Sequence, residues 1–226
     1  MFTDVGTTGH KNKGIYAQHY ILISDGQIDA WEHGGLNTFG LDGGDVETDN
    51  SSGGVIISGG YIAINSSGGT VRNFGIDSKF GPVVITGNPV IYIHEDESGS
   101  KENFAYRSDI TTISGGNAVV FASEGGNYTL REDAVLTRTA SLVPGGTFEV
   151  PSGKTISISE RTYLKKPADT TLLFSDGYGI FKYARVVEDN GGAFVYAGEV
   201  PIPKASVPLT VLFAGLGAVT LLVRRR

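Results

Sequence analysis

The stretch Val55-Ile56-Ile57-Ser58-Gly59-Gly60-Tyr61-Ile62-Ala63-Ile64 places two apolar runs on either side of a Ser-Gly-Gly turn. The same arrangement returns around Ser24, Thr86 and Ser114, each time directly after an isoleucine, at spacings of 34, 28 and 28 residues. β-Branched residues favour strands, and glycine favours the turns between them. A unit that recurs at this period is typical of a repeat protein, in which no single repeat can bury its apolar side alone.

Two architectures fit these repeats. Short strands joined by glycine turns could pair as hairpins in a β-sandwich, or each repeat could form one coil of a parallel β-solenoid. The recurrence of one residue type at one place in every unit favours the solenoid. Two ladders are then predicted to stack inward, the first of Ile23, Ile57, Ile85 and Ile113, and the second of Ile28, Ile62, Val90 and Ala118.

Beyond Glu124 the period loosens, but short strands continue. They are predicted at Val135-Leu136, Ala140–Val143, Thr147–Val150, Thr155–Ile158 and Thr170–Phe174, with Lys165-Lys166-Pro167 among the segments that divide them. A further strand pair ends at Tyr196, with a turn at Glu188–Gly192. We therefore predict one all-β solenoid domain over residues 1–197 and a Pro-containing stalk over residues 198–206.

Composition restricts the function classes. The chain has no cysteine, which excludes a disulfide scaffold, a thiol enzyme and a cysteine metal site. Its net charge of −6 argues against nucleic acid as the partner, because no basic stripe is present to neutralise phosphates. The 33 glycines and the single methionine and tryptophan indicate a β-rich chain with many turns.

The C-terminal segment indicates a membrane. Residues 207–223 are uncharged, and Arg224-Arg225-Arg226 follow at once. A helix over this run is just long enough to span a bilayer, and the arginines favour a cytoplasmic end. We predict a transmembrane helix at 207–226 with the domain outside the cell. Since residues 1–6 do not read as a signal peptide, the export signal is expected in a longer precursor.

The C-terminal segment also resembles the anchoring and sorting tails of prokaryotic surface proteins, in which an apolar helix containing small residues precedes a basic cluster. The bacterial Pro-Glu-Pro signature is absent, because Val207-Pro208-Leu209 stands in its place, and no Leu-Pro-x-Thr-Gly sortase site is present. Whether the tail is cleaved or stays in the membrane therefore remains open.

The units at 14–30, 40–64 and 75–93 combine a Gly-Ile or Gly-Leu marker with the Ile-Ser-Gly-Gly type of turn. Together they resemble prokaryotic carbohydrate-binding β-helix domains whose repeats contain Asp-Gly-Ile-x-Ser and Ile-Ser-Gly-Gly. The resemblance implies an extracellular right-handed parallel β-helix that binds acidic polysaccharide (polygalacturonate) and calcium. The family's Asp before Gly-Ile is replaced by Lys13, Phe39 and Phe74, whereas the later acid is present as Asp42 and Asp77.

Calcium needs six to eight hard oxygen ligands, so loops rich in carboxylates are the candidate sites. The stretch from Asp42 to Asn50 offers four carboxylates and the amide oxygen of Asn50, five side chains in all, without the spacing of an EF-hand. We predict Asp42, Asp45 and Asp77 as metal ligands, against the alternative of a solvated acidic loop. The charge run at 94–97 is a weaker candidate, because charges after a strand commonly only end it.

Sugar binding uses flat aromatic faces and polar groups on a rigid surface. Trp31 is flanked by Glu32 and His33, so it is expected to point outward from a loop. Residues near equivalent places in the repeats could form a stacked platform with it, and we predict a carbohydrate-binding set of Trp31, Phe39, Phe74 and Tyr16. The alternative is that these aromatic rings pack in a ladder along the repeats.

Three functions follow from these residues. The favoured one is a non-catalytic surface module that binds polysaccharide, and its rival is a structural or adhesive surface protein without a sugar ligand. The third is a polysaccharide lyase, for which Arg72 and Lys79 beside Asp77 would supply the base. No Ser-His-Asp pattern, phosphate-binding loop or dinucleotide motif is present.

Overall fold

The computed structural model describes residues 2–6, 11–44, 53–95, 102–108, 111–124, 126–174, 181–182, 184–189 and 192–197. These residues form strands and turns and no helix, which confirms the all-β prediction for this part of the chain. Among them no helix could span a bilayer, and the stalk at 198–206 and the segment 207–226 lie outside the described residues. The chain divides into two compact units, Met1–Arg131 and Glu132–Arg226.

The first unit contains three sheets, each of which takes one strand from every repeat. The first sheet joins β2 (Lys11–Ala17), β5 (Asn37–Gly43), β8 (Arg72–Asp77) and β11 (Glu102–Arg107). The second joins β3 (Tyr20–Ile23), β6 (Gly54–Ile57), β9 (Val83–Ile85) and β12 (Thr111–Ile113). The third joins β1 (Phe2–Gly6), β4 (Gln27–His33), β7 (Tyr61–Ser67), β10 (Val90–Glu95) and β13 (Val119–Glu124), and β14 (Tyr128–Leu130) pairs with β13.

All described strand pairs within β1–β13 are parallel, and β14 runs antiparallel to β13. Hairpins would require antiparallel pairs. The parallel pairing therefore confirms the predicted parallel sheets and argues against the sandwich.

The first predicted ladder is confirmed. Ile23, Ile57, Ile85 and Ile113 are paired in register along the second sheet, and the first three are buried. The turns after them also stack: the backbone N–H groups of Ser58 and Thr86 donate to the carbonyls of Ile23 and Ile57 at 2.8 and 2.9 Å.

The second predicted ladder is wrong in its last two members. Ile28 and Ile62 pair as predicted, but the next members are Ile91 and Val120, in place of Val90 and Ala118. The turn between the second-sheet and third-sheet strands grows from three residues in the first two repeats to four and then five. Because a shift of one residue along a strand reverses the face of every side chain, a fixed offset from the turn misplaces these positions.

The glycines of the Gly-Ile and Gly-Leu markers, Gly14 on β2, Gly40 on β5 and Gly75 on β8, lie inside the strands of the first sheet and face the interior. A Cβ atom on Gly75 would overlap the Ile93 side chain and the Glu95 carboxylate. Two residues before Gly40, the buried Thr38 hydroxyl donates a hydrogen bond to Asn73 Oδ1 at 2.6 Å. It also accepts one from the Ser66 hydroxyl of the third sheet at 2.7 Å. Since strand side chains alternate, Phe39 and Phe74 then lie on the outer face of the first sheet.

The second unit also pairs strands in parallel. Its strands are β15 (Ala134–Leu136), β16 (Ala140–Ser141), β17 (Thr147–Val150), β18 (Ile156–Ile158), β19 (Tyr163–Lys166), β20 (Thr171–Phe174), β21 (Phe181–Lys182), β22 (Ala184–Asp189) and β23 (Gly192–Ala197). The pairs β15–β18, β18–β21, β16–β19 and β17–β20 are parallel, whereas β23 is antiparallel to both β19 and β22. Lys165 and Lys166, expected to divide two strands, instead belong to β19, where Lys166 is buried.

Candidate functional site

The outer surface of β4 and β7 carries a mixed row of aromatic and polar side chains. Ile28, Ala30 and Glu32 point inward, so the alternate residues point outward. We call this surface the Trp31 face; it consists of Gln27, Asp29, Trp31 and His33 on β4 and of Tyr61, Ala63, Asn65 and Ser67 on β7.

Trp31 is the most prominent side chain of this face, with 47 % of its surface exposed. It lies within β4, and not in a loop as expected from the sequence, because the strand continues to His33. Asn65 is its partner on β7, and His94 follows Asn65 on β10. A strand in a paired sheet holds the indole more rigidly than a loop would.

Polar groups surround the indole along both strands. The Gln27 amide donates to Asp29 Oδ2 at 2.9 Å, so the carboxylate is oriented by its neighbour. Tyr61 is adjacent, and burial together with the charge of Asp29 raises its pKa from 10.0 to about 12. The phenol therefore stays neutral and able to donate a hydrogen bond over the physiological range.

An aromatic cluster bounds the Trp31 face on the side of β10. The rings of Tyr61 and Tyr92 meet edge to face with centroids 5.5 Å apart, and Tyr92 and Phe121 stack at 6.1 Å. Tyr128 covers the ring of His94 at 5.6 Å. Burial is the largest cause that raises the pKa values of Tyr92 and Tyr128. On the outer surface of the third sheet, Trp31 on β4 is thus half exposed, whereas Tyr92 on β10 and Phe121 on β13 are buried.

The remaining predicted sugar-binding aromatics lie on the first sheet, away from Trp31. Phe39 and Phe74 are 3 % and 0 % exposed and pack against each other with centroids 5.7 Å apart. Phe104 continues the stack at 5.7 Å. The faces of Phe39 and Phe74 are therefore closed to a ligand, as in the ladder-packing alternative. Tyr16 is 46 % exposed, and the Lys13 ammonium lies 3.7 Å from its ring centroid.

The predicted metal ligands Asp42 and Asp77 are neighbours in register on β5 and β8, and both are buried. Each carboxylate has a protein cation as its partner. Lys13 Nζ lies 2.5 Å from Asp42 Oδ2, and Arg107 binds Asp77 in a bidentate manner at 2.6 and 2.5 Å. The Arg107 guanidinium also lies 4.4 Å from the Phe74 ring centroid. These pairs leave the two carboxylates poorly placed to bind calcium.

Asp45, the third predicted metal ligand, lies outside the described residues. Within the described part of the chain, no group of three or more His, Asp or Glu side chains could hold a metal ion. In the acidic run at 94–97, His94 and Glu95 belong to β10, and residues 96 and 97 are not described.

The residues considered for a lyase are engaged elsewhere. Arg72 Nε donates to Glu102 Oε2 at 2.8 Å, and the Lys79 ammonium lies 4.4 Å from the Phe80 ring centroid. Neither pairs with Asp77, whose partner is Arg107.

Sequence reasoning missed both Arg107 and the polar members of the Trp31 face. A signal for Arg107 was present: Asn103-Phe104-Ala105-Tyr106-Arg107 aligns with Asn73-Phe74-Gly75-Ile76-Asp77, although alanine replaces the marker glycine. Asp29, Tyr61 and Asn65 follow from strict alternation along the predicted strands once these are extended to their true ends.

Comparison of the chain with protein-family models, with curated proteins and with solved structures gave no match.

Proposed function

We propose that this protein is a non-catalytic surface module that binds polysaccharide through the Trp31 face. The observation that carries the proposal is the half-exposed Trp31, fixed in a paired strand and flanked by the hydrogen-bonding side chains of Asp29 and Asn65. An indole offers a flat apolar surface for the C–H face of a sugar ring. The Asp29 carboxylate offers an acceptor and the amide nitrogen of Asn65 offers a donor to its hydroxyl groups.

We further propose that the repeats of the first unit wind as a right-handed parallel β-solenoid. Support comes from the three sheets that each take one strand per repeat, from the in-register Ile23 ladder and from the stacked turns. Such a coil presents equivalent positions of successive repeats side by side, so a ligand longer than one sugar can be contacted from neighbouring strands.

The proposed location is the cell surface, with residues 207–226 as the membrane anchor. The uncharged run before the three arginines supports it. Protease added to intact cells should remove the domain. Full protection of the domain would contradict the orientation.

A glycan array probed with the full-length chain tests the sugar-binding proposal. Trp31→Ala should abolish the strongest signals, because it removes the exposed stacking surface. Tyr20→Ala is the matched control, since Tyr20 is also 47 % exposed but lies on β3 of the second sheet. Equal loss in both variants, or silence of the wild type on every glycan, would contradict the proposal.

One observation favours the rival function of an adhesive surface protein without a sugar ligand. Leu22 is 70 % exposed on the outer face of the second sheet, and the half-buried Ile56 and Val84 continue the row in register. An exposed apolar row is a feature of protein-binding surfaces. Leu22→Ser should weaken cell adhesion if this function holds, and it should leave glycan binding unchanged.

A further inference from the structure

We infer that the Trp31 face selects an uncharged, linear polysaccharide whose chain lies along β7, in place of the acidic polymer that the sequence resemblance implies. This inference rests on the proposed function and names its ligand class. It is drawn from the charge of the face and from the sizes of its side chains.

The charge of the face disfavours a polyanion. Among its described side chains, Asp29 is the only carboxylate, and no lysine or arginine belongs to the set. On the first sheet, the cations Lys13 and Arg107 are held by Asp42 and Asp77. With a net charge of −6 for the whole chain, an acidic polymer would be repelled at this face.

Side-chain size gives the face a direction. Ala63, Asn65 and Ser67 follow one another on the outer side of β7 and are short, whereas Trp31 stands on one side and the aromatic pair of His94 and Tyr128 on the other. The short residues form the floor of a trough about 13 Å long, at roughly 3.3 Å per residue. A linear chain fits such a floor better than a branched or globular ligand.

The polar groups are those that recognise hydroxyls. The Asp29 carboxylate accepts charge-assisted hydrogen bonds from neighbouring hydroxyl groups, which are stronger than those between neutral partners. The amide nitrogen of Asn65 adds a donor, whereas its Oδ1 is buried and the Gln27 amide already donates to Asp29. An uncharged sugar supplies hydroxyl donors to Asp29, whereas a uronate adds a second carboxylate that cannot donate.

The test is calorimetric titration of the full-length chain with oligosaccharides of equal length: cellohexaose and mannohexaose as uncharged probes, and hexagalacturonate as the acidic probe. We expect at least tenfold tighter binding of an uncharged hexamer than of hexagalacturonate at low salt. Binding should tighten from the monosaccharide to the trisaccharide and then level off, because a trough of about 13 Å is shorter than a hexamer.

Two variants locate the effect. Asp29→Asn should weaken binding of the uncharged hexamer at least fivefold, since it replaces an ionised acceptor by a neutral amide. Asp25→Asn is the matched control, because it removes the same charge from an exposed turn residue near β4. It should leave binding of the uncharged hexamer unchanged. Thermal unfolding of each variant confirms that it is folded.

The outcomes separate the inference from the proposed function. Preference for hexagalacturonate, lost in Trp31→Ala, would overturn the inference and leave sugar binding at this face in place. Absence of binding to all three probes and to a glycan array would overturn both. Equal weakening by Asp29→Asn and Asp25→Asn would remove Asp29 from the site.

Discussion

The outer faces of the first and third sheets use similar side chains in opposite ways. On the first sheet, each acid is matched by a cation and each buried ring by another ring, as in Arg107–Asp77 and Phe39–Phe74. On the third sheet, the indole of Trp31 is half exposed beside a buried aromatic cluster, and the Asp29 carboxylate accepts a hydrogen bond from Gln27. The first arrangement stabilises the fold, and the second leaves groups available to a ligand.

The difference shows that similar side chains can be placed for different roles. Asp42 and Asp77, which the sequence predicts as metal ligands, are paired with Lys13 and Arg107. Trp31, by contrast, belongs to no repeated motif, because Asn65 and His94 stand at its position in the next two repeats. The unrepeated residue is therefore the better functional candidate.

The largest effect on stability is expected from breaking the Arg107–Asp77 ion pair on the first sheet. Arg107→Leu leaves the buried Asp77 carboxylate without its bidentate partner and should lower the free energy of unfolding by about 3 kcal/mol. Trp31→Ala removes a half-exposed side chain and should lower it by less than about 1 kcal/mol. Urea denaturation of both variants makes the comparison.

The double variant Arg107→Leu with Asp77→Leu serves as the control for that experiment. It removes both charges and should recover part of the lost stability, because no unpaired buried carboxylate remains. Equal stability of Arg107→Leu and Trp31→Ala would contradict the division between a structural and a ligand-binding face.

A second effect concerns the interior side of the first sheet. Gly75→Ala places a methyl group where Ile93 and Glu95 already lie, and it should cost about 2 kcal/mol by overpacking. Gly126→Ala is the control, since a Cβ atom there meets nothing within 4 Å. Equal melting temperatures of the two variants would show that the marker glycine is not required by packing.

The all-β class, the parallel sheets and the first ladder could be predicted from the sequence, because a fixed residue type returns at a fixed place relative to the turn. The members Ile91 and Val120 could not, since turns that lengthen by one residue are invisible to a pattern counted from Ser58 or Ser114. The Arg107–Asp77 pair could not be predicted for a different reason, since its partners are 30 residues apart and meet only when the strands pair.

A smaller effect is expected at alkaline pH from Tyr61 on the third sheet. The pKa of Tyr61 is raised on folding, so its contribution to stability is fully present below about pH 10 and is lost as the pH rises toward 12. The melting temperature should therefore fall over this window, and Tyr61→Phe should reduce the fall. An identical pH profile in the variant would show that Tyr61 is not buried in solution.

The smallest effect is expected from calcium. Because Asp42 and Asp77 are neutralised by Lys13 and Arg107, millimolar calcium should leave the melting temperature within experimental error of that in chelator. The Asp45→Asn variant examines the predicted ligand that lies outside the described residues. A calcium-dependent rise in the melting temperature that is lost in Asp45→Asn or Asp42→Asn would contradict this expectation and support the predicted metal site.

The most direct measurement uses the fact that Trp31 is the only tryptophan of the chain. Its fluorescence and its quenching by acrylamide report on the Trp31 face without any label. In the free protein the half-exposed indole should be quenched readily, and a saturating uncharged oligosaccharide should protect it and shift its emission. Glycan binding by calorimetry that leaves both the emission and the quenching of Trp31 unchanged would contradict the placement of the binding site on this face.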